Sequence, residues 1–449
     1  MLRRIYRRLV TRTIPNLANF AVWVALRLLV NAAALPLAVA ACVALRRYSH
    51  KKRPVVLFGI SPVISNKYWS EALRKRGYAT ASFAYGSCQI LDQSYFDYTS
   101  QTLFPKLSRL SFFPLLEPYL CFFWALRNFD VFVLDFDLGF FRWTPFRFFE
   151  LPLLRLAGRK IIAIPYGGDA TDVRRCRDER SKAAIVKDYP ELLALAEGVE
   201  RRVRHYSRWA SLIVCGGFML DFLPRADFLT ASFCAIDTDE WRNDREPTES
   251  SDGLVKILHA PNHRNIKGTQ FLIDACEELR REGLPVELII KEGVHNSEIR
   301  EAMRDADIVA AAFITGFYEL FPIEGMSMGK PVLNYWRPDL KRIYSERSFA
   351  SECPIVDTPP EQIKENIRAL AEDPALRLKL GEAGRRYVEK HHSYDAIGRT
   401  LAQLVRKVWD ATEVAARREE PEGPARLDAS NHQGVGSQSA STKAQFQQF

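Results

Sequence analysis

Apolar and polar positions alternate in blocks along most of the chain. "PVVLFGI" (54–60) is an apolar run closing on Gly, which predicts a buried strand. "SNKYWSEALRKRGY" (65–78) has helical spacing behind a capping Ser65, and "YATASFAYG" predicts the next strand. The body therefore opens β-loop-α-β, the start of a doubly wound sheet. "DVFVLDF" (130–136), "KIIAIPYGGD" (160–169) and "ASLIVCGG" (210–217) add strands, the last followed by "DFLTASFCAIDTDEW". A second alternation starts at "LVKILHAP" (254–261) and continues with helix 268–282, strand "VELIIKEG", helix 297–305, strand "DIVAAAFI", helix 324–329 and strand "KPVLNYW". A helix from Pro360 to Ala371 and a long helical stretch close the chain. The polar connector "NDREPTESSDG" separates the two alternations. The pattern thus predicts an α/β protein with two Rossmann-like domains facing a cleft. Residues 1–53 form an N-terminal segment, 54–242 the first domain, 243–253 a linker, 254–392 the second domain and 393–412 a closing helix. Residues 413–449, polar and rich in Gln and Ser, form a disordered tail.

One block breaks the alternation. "LLVNAAALPLAVAACVAL" (28–45) is uncharged for 18 residues. As a helix it reaches about 27 Å, just short of a ~30 Å hydrocarbon core. Asn31 and Pro36 interrupt it and Arg27 sits at its upstream end. Charge sharpens this picture. The 449-residue chain has a net charge of +9, yet residues 1–70 hold 12 Lys/Arg and no acid, and residues 71–449 carry −3. The basic character is N-terminal, which argues against a nucleic-acid-binding body and for anionic lipid head groups. Basic clusters flank both sides (Arg3, Arg4, Arg7, Arg8, Arg12; Arg46, Arg47, Lys51, Lys52, Arg53), so the positive-inside rule is nearly silent. Three readings stand: a single span or a re-entrant, Pro-kinked membrane segment; a soluble or surface-lying helix; and a cleaved signal peptide, for which the preceding charged stretch is long. The aromatic stretches 92–128 and 138–156 suit either core helices or a lipid-contacting face. The eight cysteines form no CxxC pair, which fits reduced, mostly buried thiols.

No GxGxxG follows a first strand and no GxxxxGK[ST] occurs, which argues against a dinucleotide site and a P-loop. D-x-D recurs three times (Asp135/Asp137, Asp237/Asp239, Asp305/Asp307) in unrelated contexts, so no metal site is assigned. "ILHAPNHRNIKGT" places Asn262, His263, Arg264 and Lys267 in a strand-to-helix loop, with Gly268 allowing close approach at the helix entry. Such a loop is either an anion cradle or a set of solvated cations. In "FPIEGMSMGKPV" a lone Glu324 sits where a strand hands over to a helix. It either faces a ligand over the sheet edge or complements the helix dipole.

From 54 to 412, and most strongly from Ile257 to Leu340, the sequence resembles the retaining GT-B glycosyltransferases of "group 1". "HAPNHRNIKGT" is similar to that family's phosphate loop. "GFYELFPIEGMSMGKPVLNYW" is similar to its Glu-Ala-Met-Ala-x-Gly-x-Pro-Val signature, "IPYGGDATDVR" to its Gly-Ser-Asp turn and "CAIDTDEW" to its hinge. The resemblance implies that Glu324 binds the donor ribose and that Arg264 and Lys267 neutralise the donor diphosphate. It also implies helix-terminus hydrogen bonds from the Gly325 and Met326 amides. The family's second Glu falls at Gly316; Glu319, five positions before Glu324, is the nearest acid. Asn262, His263, Gly268, Gly316, Phe317, Tyr318 and Glu319 complete the implied donor set. Gly59, Ser61, Asn66, Gly167, Gly168 and Asp169 form the implied acceptor side. The expected activity is transfer of a sugar from a nucleotide-diphosphate sugar to a membrane- or lipid-linked glycan acceptor. It would proceed with retention, without metal or other cofactor, in polysaccharide biosynthesis at the cytoplasmic face of the inner membrane. The alternatives are a 2-epimerase-like GT-B enzyme and a non-catalytic membrane scaffold.

Overall fold

The computed structural model describes residues 17–46, 53–85, 95–244 and 253–419. The basic clusters at 3–12 and 47–52, most of the connector, Cys88 and residues 420–449 lie outside the described residues. Contacts divide the chain into a large unit, Met1–Trp409, and a terminal one, Asp410–Phe449. Everything below belongs to the large unit.

Two all-parallel sheets form its frame, as the two alternations predict. The first contains β1 (Val56–Phe58), β2 (Thr80–Ala84), β3 (Tyr98–Thr99), β4 (Val131–Leu134), β5 (Lys160–Ala163), β6 (Leu212–Gly216) and β7 (Phe228–Thr230), in the order β3-β2-β1-β4-β5-β6-β7. The second contains β8 (Val255–His259), β9 (Val286–Ile290), β10 (Ile308–Ala310), β11 (Val332–Asn334) and β12 (Val356–Asp357), in the order β12-β11-β10-β8-β9. The strand order reverses beside β1 in one sheet and beside β8 in the other. Ligands of open parallel sheets bind above the C-terminal edge at such points. Two expectations needed correction. The strand drawn over "DIVAAAFI" is only Ile308–Ala310; Ala311 N–H still bonds Leu333 O, but by Phe313 the chain has turned off the ladder and its N–H bonds Lys267 O instead. The following helix is Leu320–Ser327, four residues earlier than predicted.

The halves are tied together by buried polar links. Arg337 forks onto Asp221, with both N–O distances 2.7 Å and both side chains at most 5 % exposed. Tyr344 OH donates to Gly217 O at 2.8 Å and Ser181 Oγ to Ile314 O at 3.1 Å. The chain finally crosses back: Tyr394, Ile397, Leu401, Val405 and Trp409 bury against Val56, Phe58, Trp69 and Ala72 of the first half. Close approach there requires Gly398, whose Cβ would stand 2.3 Å from Ala72 O.

The N-terminal helix, Leu17–Leu45, runs unbroken through Pro36. It packs on the helices Phe113–Asn128 and Glu150–Leu156 through Ala34, Ala38 and Cys42, spaced one turn apart and at most 6 % exposed. Tyr119 OH donates to Asn31 Oδ1 at 2.5 Å and Arg27 Nη2 to Trp143 O at 3.4 Å. Beneath these helices Arg159 is held by Asp130 at 3.0 Å and by Leu126 O at 2.9 Å.

Candidate functional site

A cavity of ≈ 710 Å³ opens between the C-terminal edges of the two sheets. The first half contributes the loops after β1, β5 and β6, with Ser65, Trp69, Tyr166 and Phe218 among the lining side chains. The second half contributes the loops after β8, β9 and β10, with Asn262, Lys267, Lys291, Glu319 and Glu324. The walls interleave at Gly217. Its backbone is left-handed (φ +54°), and a Cβ there would meet the Phe317 ring at 2.4 Å; Phe317 in turn packs on Phe218, with centroids 4.7 Å apart.

Glu324 sits in the second turn of Leu320–Ser327, 3 % exposed, at the cavity wall. No hydrogen-bond donor among the described residues reaches its carboxylate. Burial, and then the charge of Glu240, raise its pKa to about 8. A surface Glu complementing a helix dipole has neither property. The early helix start also corrects the role given to Gly325 and Met326. Their amides lie inside the helix, Gly325 packs on Val309 and the Met326 side chain is in the core. The open N-terminus is at Glu319–Phe321, where Glu319 makes no capping bond.

The loop after β8 differs from the expected cradle. His263 packs against Tyr189 with the rings tilted by 59° and hydrogen-bonds its hydroxyl, outside the cavity lining. The carboxylate of Asp188, from the first half, takes the Ile266 N–H at 2.8 Å and the Asn265 amide at 2.6 Å. The Lys267 and Gly268 amides bond His263 O and Asn265 O, so a carboxylate from this chain already occupies part of the cradle. Arg264 forms a two-point pair with Glu292 (2.8 and 2.6 Å), which lowers the Glu292 pKa; Arg264 is 56 % exposed and does not line the cavity. Lys267 does line it, with Nζ 2.6 Å from Glu319 Oε2. Gly268 (φ +72°) is a turn residue packed on Phe313 and Ile314. Gly316 (φ +69°) is required for a different reason. A Cβ there would lie 2.7 Å from Arg337 N, so this backbone position admits no carboxylate side chain. Tyr318 reaches the cavity while its hydroxyl bonds Tyr387 and His392.

Most of the expected acceptor residues hold loops together rather than line the cavity. Ser61 takes Asp135 on its N–H and gives its hydroxyl to Asp137, and Asn66 donates to Ser61 O at 3.0 Å. Asp169 accepts the amides of Phe136 and Gly167, and burial lifts its pKa to about 8. Gly59, Gly167 and Gly168 lie outside the lining as well. Sequence reasoning missed Lys291, Tyr166, Trp69 and Phe218. The signal for Lys291 was present: it follows directly on β9, where side chains reach the sheet edge.

Against known proteins, residues 269–403 match a family model described as "Glycosyl transferase-like". No curated protein matches the chain by sequence. Among solved structures, sucrose-phosphate synthase from Thermosynechococcus elongatus superposes with a TM-score of 0.50 at 15 % identity, over 80 % of this chain and 100 % of that one. The fold is GT-B, and residues 269–403 are similar to the glycosyl transferase-like family. WaaG, a glycosyltransferase involved in lipopolysaccharide biosynthesis, gives 0.43 at 12 % identity over 78 % and 99 %. A putative UDP-N-acetylglucosamine 2-epimerase from Listeria monocytogenes gives 0.41 at 12 % over 80 % and 96 %. The family match and the fold support sugar transfer by a GT-B protein.

Proposed function

We propose that the chain transfers a sugar from a nucleotide-diphosphate sugar to a glycan or lipid-linked acceptor at the cytoplasmic face of a membrane, with retention and without a metal. The observation that carries this reading is the cavity itself: an otherwise unbonded buried Glu324 and two cations, Lys267 and Lys291, converge on the edge of the glycosyl transferase-like half. Glu324 would accept both ribose hydroxyls. The two lysines would meet the diphosphate, whose charge grows as the sugar leaves. A donor aimed at developing charge in a dry site contributes about 2.7–4 kcal/mol. Trp69, Tyr166 and Phe218 supply an apolar and aromatic wall for the acceptor.

A thermal-shift and calorimetric panel of UDP-, GDP- and ADP-sugars tests the reading, since bound donor stabilises the fold by mass action. Glu324→Ala should weaken the binding donor by about 1.5–3 kcal/mol, the range for hydrogen bonds to a charged group. If Glu324→Ala keeps wild-type affinity, the motif is misassigned. Product formed without acceptor would favour an epimerase.

A further inference from the structure

The N-terminal helix is long and apolar enough to cross a membrane, yet its surroundings fit a different geometry. Only 17 % of its apolar window is buried, so it is no core helix. Its docked stripe is made of small residues, Ala34, Ala38 and Cys42, while Leu28 (65 % exposed), Leu29, Leu37 and Val43 point away from the body. A helix apolar on every side needs an apolar partner on the free face as well.

Docking extends from Arg27 to Cys42, which at 1.5 Å per residue is about 22 Å, most of a ~30 Å hydrocarbon core. If this helix spanned a bilayer, Phe113–Asn128 and Glu150–Leu156 would have to enter with it. Those helices belong to the main core of the first half and cover the buried Arg159–Asp130 pair. Hydrocarbon on both sides of such a body is prohibitive. Beside the helix, Trp143 (62 % exposed) and Phe149 (49 % exposed) add to the same rim, with Arg142 over the Trp143 ring at 5.4 Å. Trp with Arg is the pairing of a membrane–water boundary.

We propose that the helix Leu17–Leu45, with Trp143 and Phe149, is a monotopic platform that lies in one leaflet of an anionic bilayer, both chain ends staying on the side of the catalytic body. Charge selects this occupant over a second copy. Residues 1–70 hold 12 cations and no acid, so two such faces repel each other while anionic lipid attracts them. The inference rests on the membrane-linked acceptor proposed above and specifies how the cleft is brought to it.

The full chain, tagged at both ends, is tested in sealed membrane vesicles with their cytoplasmic face outward. Added protease should remove both tags; a protected N-terminal tag shows a span and overturns the proposal. The purified protein should float with phosphatidylglycerol-containing vesicles and bind at least tenfold less to pure phosphatidylcholine. Leu28→Glu with Leu37→Glu, both exposed, should reduce flotation more than tenfold at unchanged Tm. Undiminished flotation of that variant, or a dimer that ignores vesicles, also overturns it. Binding of uridine, guanosine and adenosine diphosphates is measured on the same samples. Failure of flotation with nucleotide binding intact sinks the platform alone, and loss of both in the wild type sinks the functional reading too.

Discussion

Lys267 and Glu319 pair at 2.6 Å on the second-half wall of the cavity, so the cation proposed to meet a diphosphate already has a carboxylate partner. Lys291, by contrast, has no acidic partner among the described residues. Glu319→Gln should therefore raise affinity for a free nucleoside diphosphate by about tenfold or more, while Lys291→Ala lowers it by a similar factor; one hydrogen bond to a charged group is worth about 1.5–3 kcal/mol. Calorimetry with the diphosphate that binds wild type checks both signs, and a loss in Glu319→Gln would show that the carboxylate helps rather than competes. Arg264→Ala should change affinity little, because Arg264 spends its fork on Glu292 at the surface. Glu324 adds a pH signature. With its pKa near 8 in the empty cleft, it must lose a proton to accept two hydroxyls. Donor affinity should then rise between pH 7 and 9, and Glu324→Gln should flatten that rise.

At the scale of elements, the strands were legible because each is a short apolar run before a turn, and β1, β4, β5, β6, β8, β9, β10 and β11 all fall where the pattern puts them. The helix at Leu320–Ser327 was placed four residues late because the Glu324-Gly325 step reads as its entry. Pro322 was the overlooked signal, since proline is best tolerated in the first turn of a helix. Which loop residues reach the cavity was not legible. Ser61, Asn66 and Asp169 look like ligand groups in sequence, and only distances show them bonded to neighbouring loops. Glu150 makes an element-scale prediction. It is fully buried at the start of its helix, accepts Phe141 N–H at 2.7 Å, and burial raises its pKa to about 8. A raised carboxyl pKa means folding holds a proton that the unfolded chain releases above about pH 4.5, so stability falls as pH climbs toward 8. His205, His259 and His392 are depressed by burial and oppose this only below about pH 6.5. Tm should consequently drop between pH 6.5 and 8, and Glu150→Gln should shrink the drop. An unchanged slope would place the effect on other groups.

Over the whole molecule, the two sheets are joined by a few buried links rather than by the connector alone. Arg337→Ala would strip the wholly buried Asp221 carboxylate of its two-point partner, leaving it the Arg177 N–H at 3.2 Å and the exposed Arg177 guanidinium at 3.5 Å, at a cost of up to about 3–5 kcal/mol. It would also loosen the Gly316 turn that packs on Arg337. Urea unfolding should show the lower midpoint, and donor affinity should fall with it; a purely local role would spare the midpoint. The division into two α/β halves could be read from sequence because periodicity is local. The Asp221–Arg337 and Asp188–Ile266 contacts could not, because each joins residues on different halves that no local pattern relates.

The closing helix has a consequence for synthesis. Translation delivers the first half early, yet one face of its sheet, around Val56, Phe58 and Trp69, is covered by Tyr394, Ile397, Leu401 and Val405. On the ribosome that half must wait, with its apolar face uncovered, until more than 300 further residues have been added after it begins. The usual N-terminal-first order of domain maturation is therefore blocked, and the nascent chain carries a sticky intermediate for most of its elongation. A chain stopped at residue 393 should engage chaperones or aggregate, whereas supplying the missing helix as a separate peptide should rescue its solubility.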